Sequence, residues 1–216
     1  MKHGVQTVLA GICWVLAAGA SAQTAGDAQA GAQKNALCVG CHGINGYHTA
    51  FPQAHKVPKL SGQSEAYLAA ALQAYRAGER KHPSMRTLAA SLSDQDMADL
   101  AAYYASTGPK AAATPATAGG GKAQELITKG GCTSCHGDNF SRPVAPTYPK
   151  IAGQHSDYLY VALQSYKTQN KPMIGRGNPI MAGIASQFSN AELKTIADYL
   201  GSLPGELATV QPARLK

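Results

Sequence analysis

Residues 38–43 read C-V-G-C-H-G, and residues 132–137 read C-T-S-C-H-G. Each stretch places two thiols three positions apart and an imidazole directly after the second thiol. This arrangement has three chemical interpretations: part of a zinc site, a redox-active dithiol, or the attachment site of a covalently bound haem. The motif alone leaves all three open, and the surrounding sequence distinguishes between them.

The sequence after each motif repeats in the same order. P-K-L-S-G-Q at 58–63 corresponds to P-K-I-A-G-Q at 149–154, and H-P-S-M at 82–85 corresponds to N-P-I-M at 178–181. The two halves differ in the lengths between these landmarks, and such differences belong in loops. The repeat predicts two related domains, each with one C-x-x-C-H motif.

The composition predicts where these domains begin and end. Residues 107–122 are rich in Ala, Pro, Thr and Gly and have no apolar periodicity, which is typical of an extended linker. We therefore assign residues 23–106 to the first domain, residues 107–122 to the linker and residues 123–216 to the second domain.

The first 22 residues have the pattern of a secretory signal peptide. A short basic start precedes an apolar run, and Ala20-Ser21-Ala22 supplies the small residues of a cleavage site. A membrane anchor is disfavoured, because the run is shorter than the roughly 20 residues of a spanning helix. Cleavage after residues 1–22 would remove Cys13 and leave four cysteines, all in the two motifs. In an oxidising compartment bare C-x-x-C pairs would tend to form disulfides, so we expect a cofactor to bind them.

The pattern of apolar residues predicts an all-α fold. One helical face recurs in both halves, and two capping boxes, Ser93-x-x-Asp96 and Ser189-x-x-Glu192, mark the start of a last helix in each. No segment alternates convincingly enough to predict a sheet. Each domain is small and has few large apolar side chains, so it needs a large apolar group at its centre. The repeated face consists of Tyr67, Leu68, Ala71, Leu72 and Tyr75 in the first half and Tyr158, Leu159, Ala162, Leu163 and Tyr166 in the second.

Haem attachment is the interpretation that the repeat favours. A zinc site needs four ligands from two neighbouring knuckles, whereas the two pairs here lie in different domains. A redox dithiol of the thioredoxin type needs an α/β context that neither half shows. Two haem c groups would form thioether bonds with the thiols and bind iron through the following imidazole. The predicted thioether residues are Cys38, Cys41, Cys132 and Cys135, and the predicted proximal ligands are His42 and His136.

A second iron ligand on each haem is predicted from the methionines. Met85 and Met181 occupy equivalent places in the repeat, each after a proline and before the segment that leads to the last helix. Met97 lies at an apolar helix position and is expected in the core, and Met173 has no counterpart in the first half. Four histidines are alternative ligands, but none is duplicated, so we expect them at the surface: His48, His55, His82 and His155.

Taken together, these motifs resemble those of the cytochrome c4 family, which are dihaem class I cytochromes c. The resemblance runs from about residue 26 to residue 203. It implies two tandem class I cytochrome c domains related by a pseudo-twofold axis, with the haem propionate edges facing each other, in a periplasmic electron carrier. It also implies that the carbonyls of Pro58 and Pro149 orient the proximal histidines. Four tyrosines at matched sites either bond propionates or pack: Tyr67, Tyr75, Tyr158 and Tyr166.

Histidine–methionine ligation favours a comparatively high reduction potential. We therefore expect an electron-transfer protein and not an enzyme, with a quinol-oxidising complex as donor and a terminal oxidase as acceptor. Alternatives are the haem subunit of a dehydrogenase, such as a sulfide-oxidising flavocytochrome, and a dihaem enzyme, which would need an open or differently ligated iron.

The formal charge of +7 is scattered without a Lys/Arg block, which excludes nucleic-acid binding. The sequence leaves peripheral membrane association open.

Overall fold

The computed structural model describes residues 25–109, 121–168 and 170–211. The predicted signal peptide (1–22) and most of the predicted linker (107–122) lie outside the described residues. The helices are α1 (Ala28–Lys34), α2 (Ala36–His42), α3 (Glu65–Ala77), α4 (Pro83–Ala90), α5 (Asp94–Ser106), α6 (Lys122–Lys129), α7 (Thr133–His136), α8 (Ser156–Lys167), α9 (Pro179–Ala185) and α10 (Asn190–Ser202). The strands are β1 (His48–Thr49), β2 (His55–Lys56), β3 (Arg80–Lys81) and β4 (Gly175–Arg176). The predicted all-α class is confirmed. Among the described helices none has both the length and the apolar character to cross a bilayer.

The four short strands were not predicted. Strands β1 and β2 form an antiparallel hairpin inside the longer loop of the first domain. Strands β3 and β4 pair antiparallel between the domains, with Arg80 opposite Arg176. Each strand has two residues, which is too short to produce an alternating pattern in the sequence.

The last helix of each domain forms as the sequence predicts. Both capping boxes are present, because the hydroxyls of Ser93 and Ser189 accept from the amides of Asp96 and Glu192 and the carboxylates accept in return. The apolar side chains on the inner faces of these helices are all buried: Met97, Leu100, Ala101 and Tyr104 on α5, and Leu193, Ile196, Ala197 and Leu200 on α10.

The two domains have unequal apolar cores. The buried cluster of the second domain contains Phe140 and Phe188, whereas that of the first consists of Leu68, Ala101 and Tyr104. The expected helical faces on α3 and α8 form, but most of their side chains line a cavity and are only partly buried. The core of each domain is thus arranged around a space for another group.

Two glutamines join the domains by reciprocal hydrogen bonds. The Gln63 amide donates to the Lys150 carbonyl (2.9 Å) and accepts from the Lys150 amide (2.9 Å). Gln154 does the same with Lys59, at 3.0 Å in both directions. These four residues occupy matched places in the repeated P-K-x-x-G-Q segments, so the interface follows the pseudo-twofold relation.

The C-terminal segment crosses back to the first domain. The amide of Ala208 donates to the carbonyl of Ser61 (3.0 Å). Gly62 has a positive φ of 86°, and a side chain there would collide with the carbonyl oxygen of Glu206. The glycine of the first P-K-x-x-G-Q segment therefore makes room for this crossing.

Another interdomain contact involves the β1–β2 hairpin and has no counterpart across the pseudo-twofold axis among the described residues. The β1–β2 hairpin of the first domain packs against α8 of the second, where the Lys56 amide donates to Asp157 (2.9 Å). The ring of His55 contacts that of Tyr158 at a centroid separation of 5.7 Å.

Candidate functional site

A cavity of about 650 Å³ extends through both domains. Helices α3 and α8 form much of its wall, and their tyrosine, leucine and alanine side chains give it a largely apolar lining. All eight predicted site residues line this cavity: Cys38, Cys41, His42, Met85, Cys132, Cys135, His136 and Met181.

Both histidines of the C-x-x-C-H motifs are held in one orientation by the backbone. Nδ1 of His42 bonds the carbonyl of Pro58, and Nδ1 of His136 bonds that of Pro149, each at 2.9 Å. Burial lowers the pKa of His42 to about 4, and it also lowers the pKa of His136. Each imidazole is therefore neutral near pH 7 and donates through Nδ1, which leaves the lone pair of Nε2 available to a metal. The predicted proline contacts are confirmed.

The four thiols of the motifs are half-buried, and they form no disulfide with one another. Burial, followed by the neighbouring Cys41, raises the pKa of Cys38, and burial raises that of Cys132 to about 11. A redox-active dithiol has the opposite property, a lowered thiol pKa. The environment of these cysteines therefore disfavours the dithiol interpretation.

The methionines lie in different environments. Of the four that the structure describes, Met85 and Met181 line the cavity. Met97 is fully buried in α5, as predicted, and Met173 is 43% exposed. Met85 lies in α4 and Met181 in α9, and each of these helices begins with a proline that fixes its first turn.

The expectation of surface histidines is wrong for His55, which is 7% exposed. Its Nδ1 bonds the Lys56 carbonyl, and its ring lies 6.3 Å from that of His82. His82 and His155 are half-buried, whereas His48 is exposed. His55 belongs to the β1–β2 hairpin and is buried where that hairpin packs against α8 of the second domain, a contact that no local sequence pattern reports.

A cluster of arginines and tyrosines lies where the two domains meet, and sequence reasoning missed it. The Tyr158 hydroxyl accepts from Arg80 Nη2 (2.6 Å) and from Arg176 Nη2 (3.0 Å). Arg80 Nη1 also donates to the hydroxyl of Tyr67 (3.2 Å). Burial alone would raise the pKa of Tyr158, but the charges of Arg176 and Arg80 outweigh it and lower the pKa to about 8. The tyrosines thus bond guanidinium groups, which neither expectation for them included.

The residues of the cavity fit one haem c in each domain. Each half offers two thiols, an oriented imidazole and a thioether around an apolar space, which is the donor set of a His/Met-ligated haem c. Arg80 Nε is buried and has no hydrogen-bond partner in the described part of the chain, and a haem carries carboxylates that would accept from it.

Comparisons with known proteins agree with this fit. The Cytochrome c family model matches residues 28–108 and again residues 121–204. Cytochrome c4 of Azotobacter vinelandii is 36% identical over 200 residues, which cover 84% of this chain and 91% of that protein. The thiosulfate dehydrogenase electron acceptor of Stutzerimonas stutzeri is 31% identical over 81% of this chain and 83% of that protein. The crystal structure of reduced recombinant cytochrome c4 from Pseudomonas stutzeri superimposes with a TM-score of 0.64 and 32% identity, covering 83% of this chain and all of that one.

Proposed function

We propose that this chain, which belongs to the cytochrome c4 family of dihaem cytochromes c and has two covalently bound haem c groups, moves single electrons from a quinol-oxidising complex to a terminal oxidase. It is an electron carrier and not an enzyme. Each bound haem c supplies one Fe(III)/Fe(II) couple. The observation that carries the proposal is that two complete sets of thiols, imidazole and thioether line one interdomain cavity.

The proposed roles of the site residues follow from their chemistry. Cys38 and Cys41 would form the thioether bonds in the first domain, and Cys132 and Cys135 would do so in the second. His42 and Met85 would bind the iron of the first haem, and His136 and Met181 would bind that of the second.

The protein's own residues set the conditions for electron transfer. The carbonyls of Pro58 and Pro149 fix the tautomer and the plane of each imidazole. The apolar side chains of α3 and α8 exclude water from the cavity, and a thioether ligand favours the ferrous state. Both features support comparatively high reduction potentials, which suit a carrier between a quinol-oxidising complex and an oxidase.

The ligand assignment is tested by the weak near-infrared charge-transfer band that marks sulfur ligation of ferric haem. We expect Met85→Ala and Met181→Ala each to remove about half of the band, because each variant leaves one methionine-ligated haem. Met173→Ala is the matched control and should leave the band unchanged, since Met173 lies in an exposed loop. A full band in both Met85→Ala and Met181→Ala would show that the assignment is wrong.

The proposal includes export. The pattern of residues 1–22 supports a signal peptide that directs the protein to the periplasm, and residues 107–122 would then join domains at 23–106 and 123–216. Mass spectrometry of the mature protein after expression in a Gram-negative host tests the cleavage. An uncleaved N-terminus on a haem-loaded, exported chain would contradict it.

A second candidate function is electron acceptance from a thiosulfate-oxidising dehydrogenase. The similarity to the Stutzerimonas stutzeri electron acceptor favours it. Stopped-flow reduction of the ferric protein distinguishes the two candidates, with a quinol-oxidising complex plus quinol as one donor and a thiosulfate dehydrogenase plus thiosulfate as the other. The physiological donor should give the larger second-order rate constant.

A further inference from the structure

Two arginines from different domains meet at the domain interface. Arg80 and Arg176 are paired residues of the β3–β4 ribbon. Both side chains are half-buried and line the cavity. Each also lies over a tyrosine ring of its own domain, with Arg80 4.7 Å from the centroid of Tyr75 and Arg176 5.4 Å from that of Tyr166. The ribbon and these rings fix the two cations beside the cavity.

Within the described residues, neither arginine has a protein anion to balance its charge. In the described ranges every ion pair involves other residues. The hydrogen-bond partners of the two guanidinium groups are tyrosine hydroxyls, which satisfy donors but carry no full charge. Two like charges that share the Tyr158 oxygen are costly to desolvate unless an anion compensates them. The unpartnered Arg80 Nε is a further donor that such an anion would satisfy.

A haem c brings two carboxylates, at the ring edge opposite the vinyl groups that form the thioether bonds. We propose that Arg80 and Arg176 are positioning residues that act as one shared counter-charge for the haem carboxylates of both domains, so that each arginine raises the reduction potential of both haems. This inference rests on the proposed function. The evidence for sharing is that both guanidinium groups donate to the Tyr158 hydroxyl, at 2.6 Å and 3.0 Å. Because the two cations meet at one oxygen, neither charge belongs to one domain alone.

The sign of the effect follows from electrostatics. A cation near the haem destabilises the ferric state, because ferric iron carries one more positive charge than ferrous iron. The guanidinium groups also neutralise the haem carboxylates, whose negative charge would otherwise stabilise the ferric state. Removing one arginine should therefore lower the reduction potential. The two guanidinium groups lie much closer together than the Debye length of about 10 Å, so salt screens the pair weakly.

The test is a spectroelectrochemical titration of the haem-loaded protein, with each potential assigned to its haem by the paramagnetic NMR shifts of the haem methyl groups. We expect Arg80→Gln and Arg176→Gln each to lower both potentials. At a fixed applied potential, the ferric-to-ferrous ratio of the haem in the same domain should rise about tenfold, which corresponds to a fall in potential of about 59 mV for a one-electron couple. The ratio of the haem in the other domain should rise at least about threefold. Arg76→Gln is the control, because Arg76 pairs with Asp94 at the surface and should leave both potentials unchanged.

Two results would overturn the inference. If each Gln variant moves only the potential of its own domain, the arginines serve separate haems. If neither variant moves a potential while haem content and the near-infrared band stay intact, the arginines are structural and the proposed function still stands. Should a Gln variant fail to load haem, Arg80→Lys replaces it. Lysine keeps the charge but lacks the guanidinium fork, so it should lower both potentials by less than the changes expected for glutamine, with the larger fall in the first domain, and an unchanged potential of the second domain's haem would also refute sharing.

Discussion

At the scale of single residues, Asp99 is a buried charge of the first domain that several groups anchor. It is 2% exposed on α5 and accepts hydrogen bonds from the Asp27 amide (2.9 Å), Lys34 Nζ (2.6 Å) and Gln95 Nε2 (2.7 Å). The bond from the Asp27 backbone comes first among the causes that lower its pKa to about 2, followed by Lys34 and Gln95. One carboxylate thus ties α1 to α5.

Asp99→Asn should destabilise the first domain in a pH-dependent way. A carboxyl whose pKa is lower in the folded state stabilises the fold above its unfolded pKa of 3.8 and loses that contribution as the pH falls towards about 2. We expect the thermal midpoint of the variant to lie several degrees below wild type at neutral pH and to converge with it near pH 2. Asp198→Asn removes an exposed partner of Lys194 and should have little effect at either pH. A midpoint difference that persists undiminished at pH 2 would contradict this role.

At the scale of elements, the two methionine helices differ in how they begin. In α9 the Asn178 side chain accepts from the Met181 amide (3.0 Å) and caps the helix, whereas His82 gives α4 no side-chain cap. The cap therefore acts on the backbone of the proposed ligand in the second domain alone. The start of α9 is held more firmly than that of α4.

Asn178→Ala should weaken the attachment of Met181 to iron without affecting the other haem. Loss of an N-cap costs about 1 kcal/mol, and here it frees the amide of Met181 itself. On heating, we expect the near-infrared band to lose its second-domain half at a lower temperature than in wild type. His82→Ala, the matched control for the cap, lacks this effect because no cap bond is lost. Identical melting of the band in Asn178→Ala and wild type would contradict the prediction.

The elements also show what a sequence can predict. Helices α5 and α10 were predictable because their capping boxes and inner faces are local patterns. The arginine cluster was not, because its environment arises where β3 and β4 meet across the interface. The one available signal was that each arginine lies just after a glycine in the segment that follows a matched helix, Arg80 two residues after Gly78 and Arg176 directly after Gly175.

At the scale of the whole molecule, the interface depends on backbone recognition. Gln63 and Gln154 each satisfy one amide and one carbonyl of the opposite P-K-x-x-G-Q segment. Both side chains are buried, at 5% exposure each. Removing a side chain therefore leaves two backbone groups of the other domain without partners, and such groups cost about 1–3 kcal/mol each when buried.

The double variant Gln63→Ala/Gln154→Ala should uncouple the domains. We expect wild type to unfold in one calorimetric transition and the variant in two, the first domain at the lower temperature because its apolar cluster is smaller. Gln164→Ala is the control, since its bond to Tyr160 stays within α8. A single transition at the wild-type temperature in the double variant would show that other contacts hold the domains together.

The reciprocal glutamine bonds have a consequence for association. An interface of this kind is self-complementary, like that of a twofold homodimer, yet both partners here belong to one chain. The tether replaces a bimolecular encounter with an effective concentration on the order of millimolar. The two redox centres therefore stay paired at any dilution. Hydrogen bonds to backbone groups can hold such an interface, because it does not have to offset the entropy of bringing two separate molecules together.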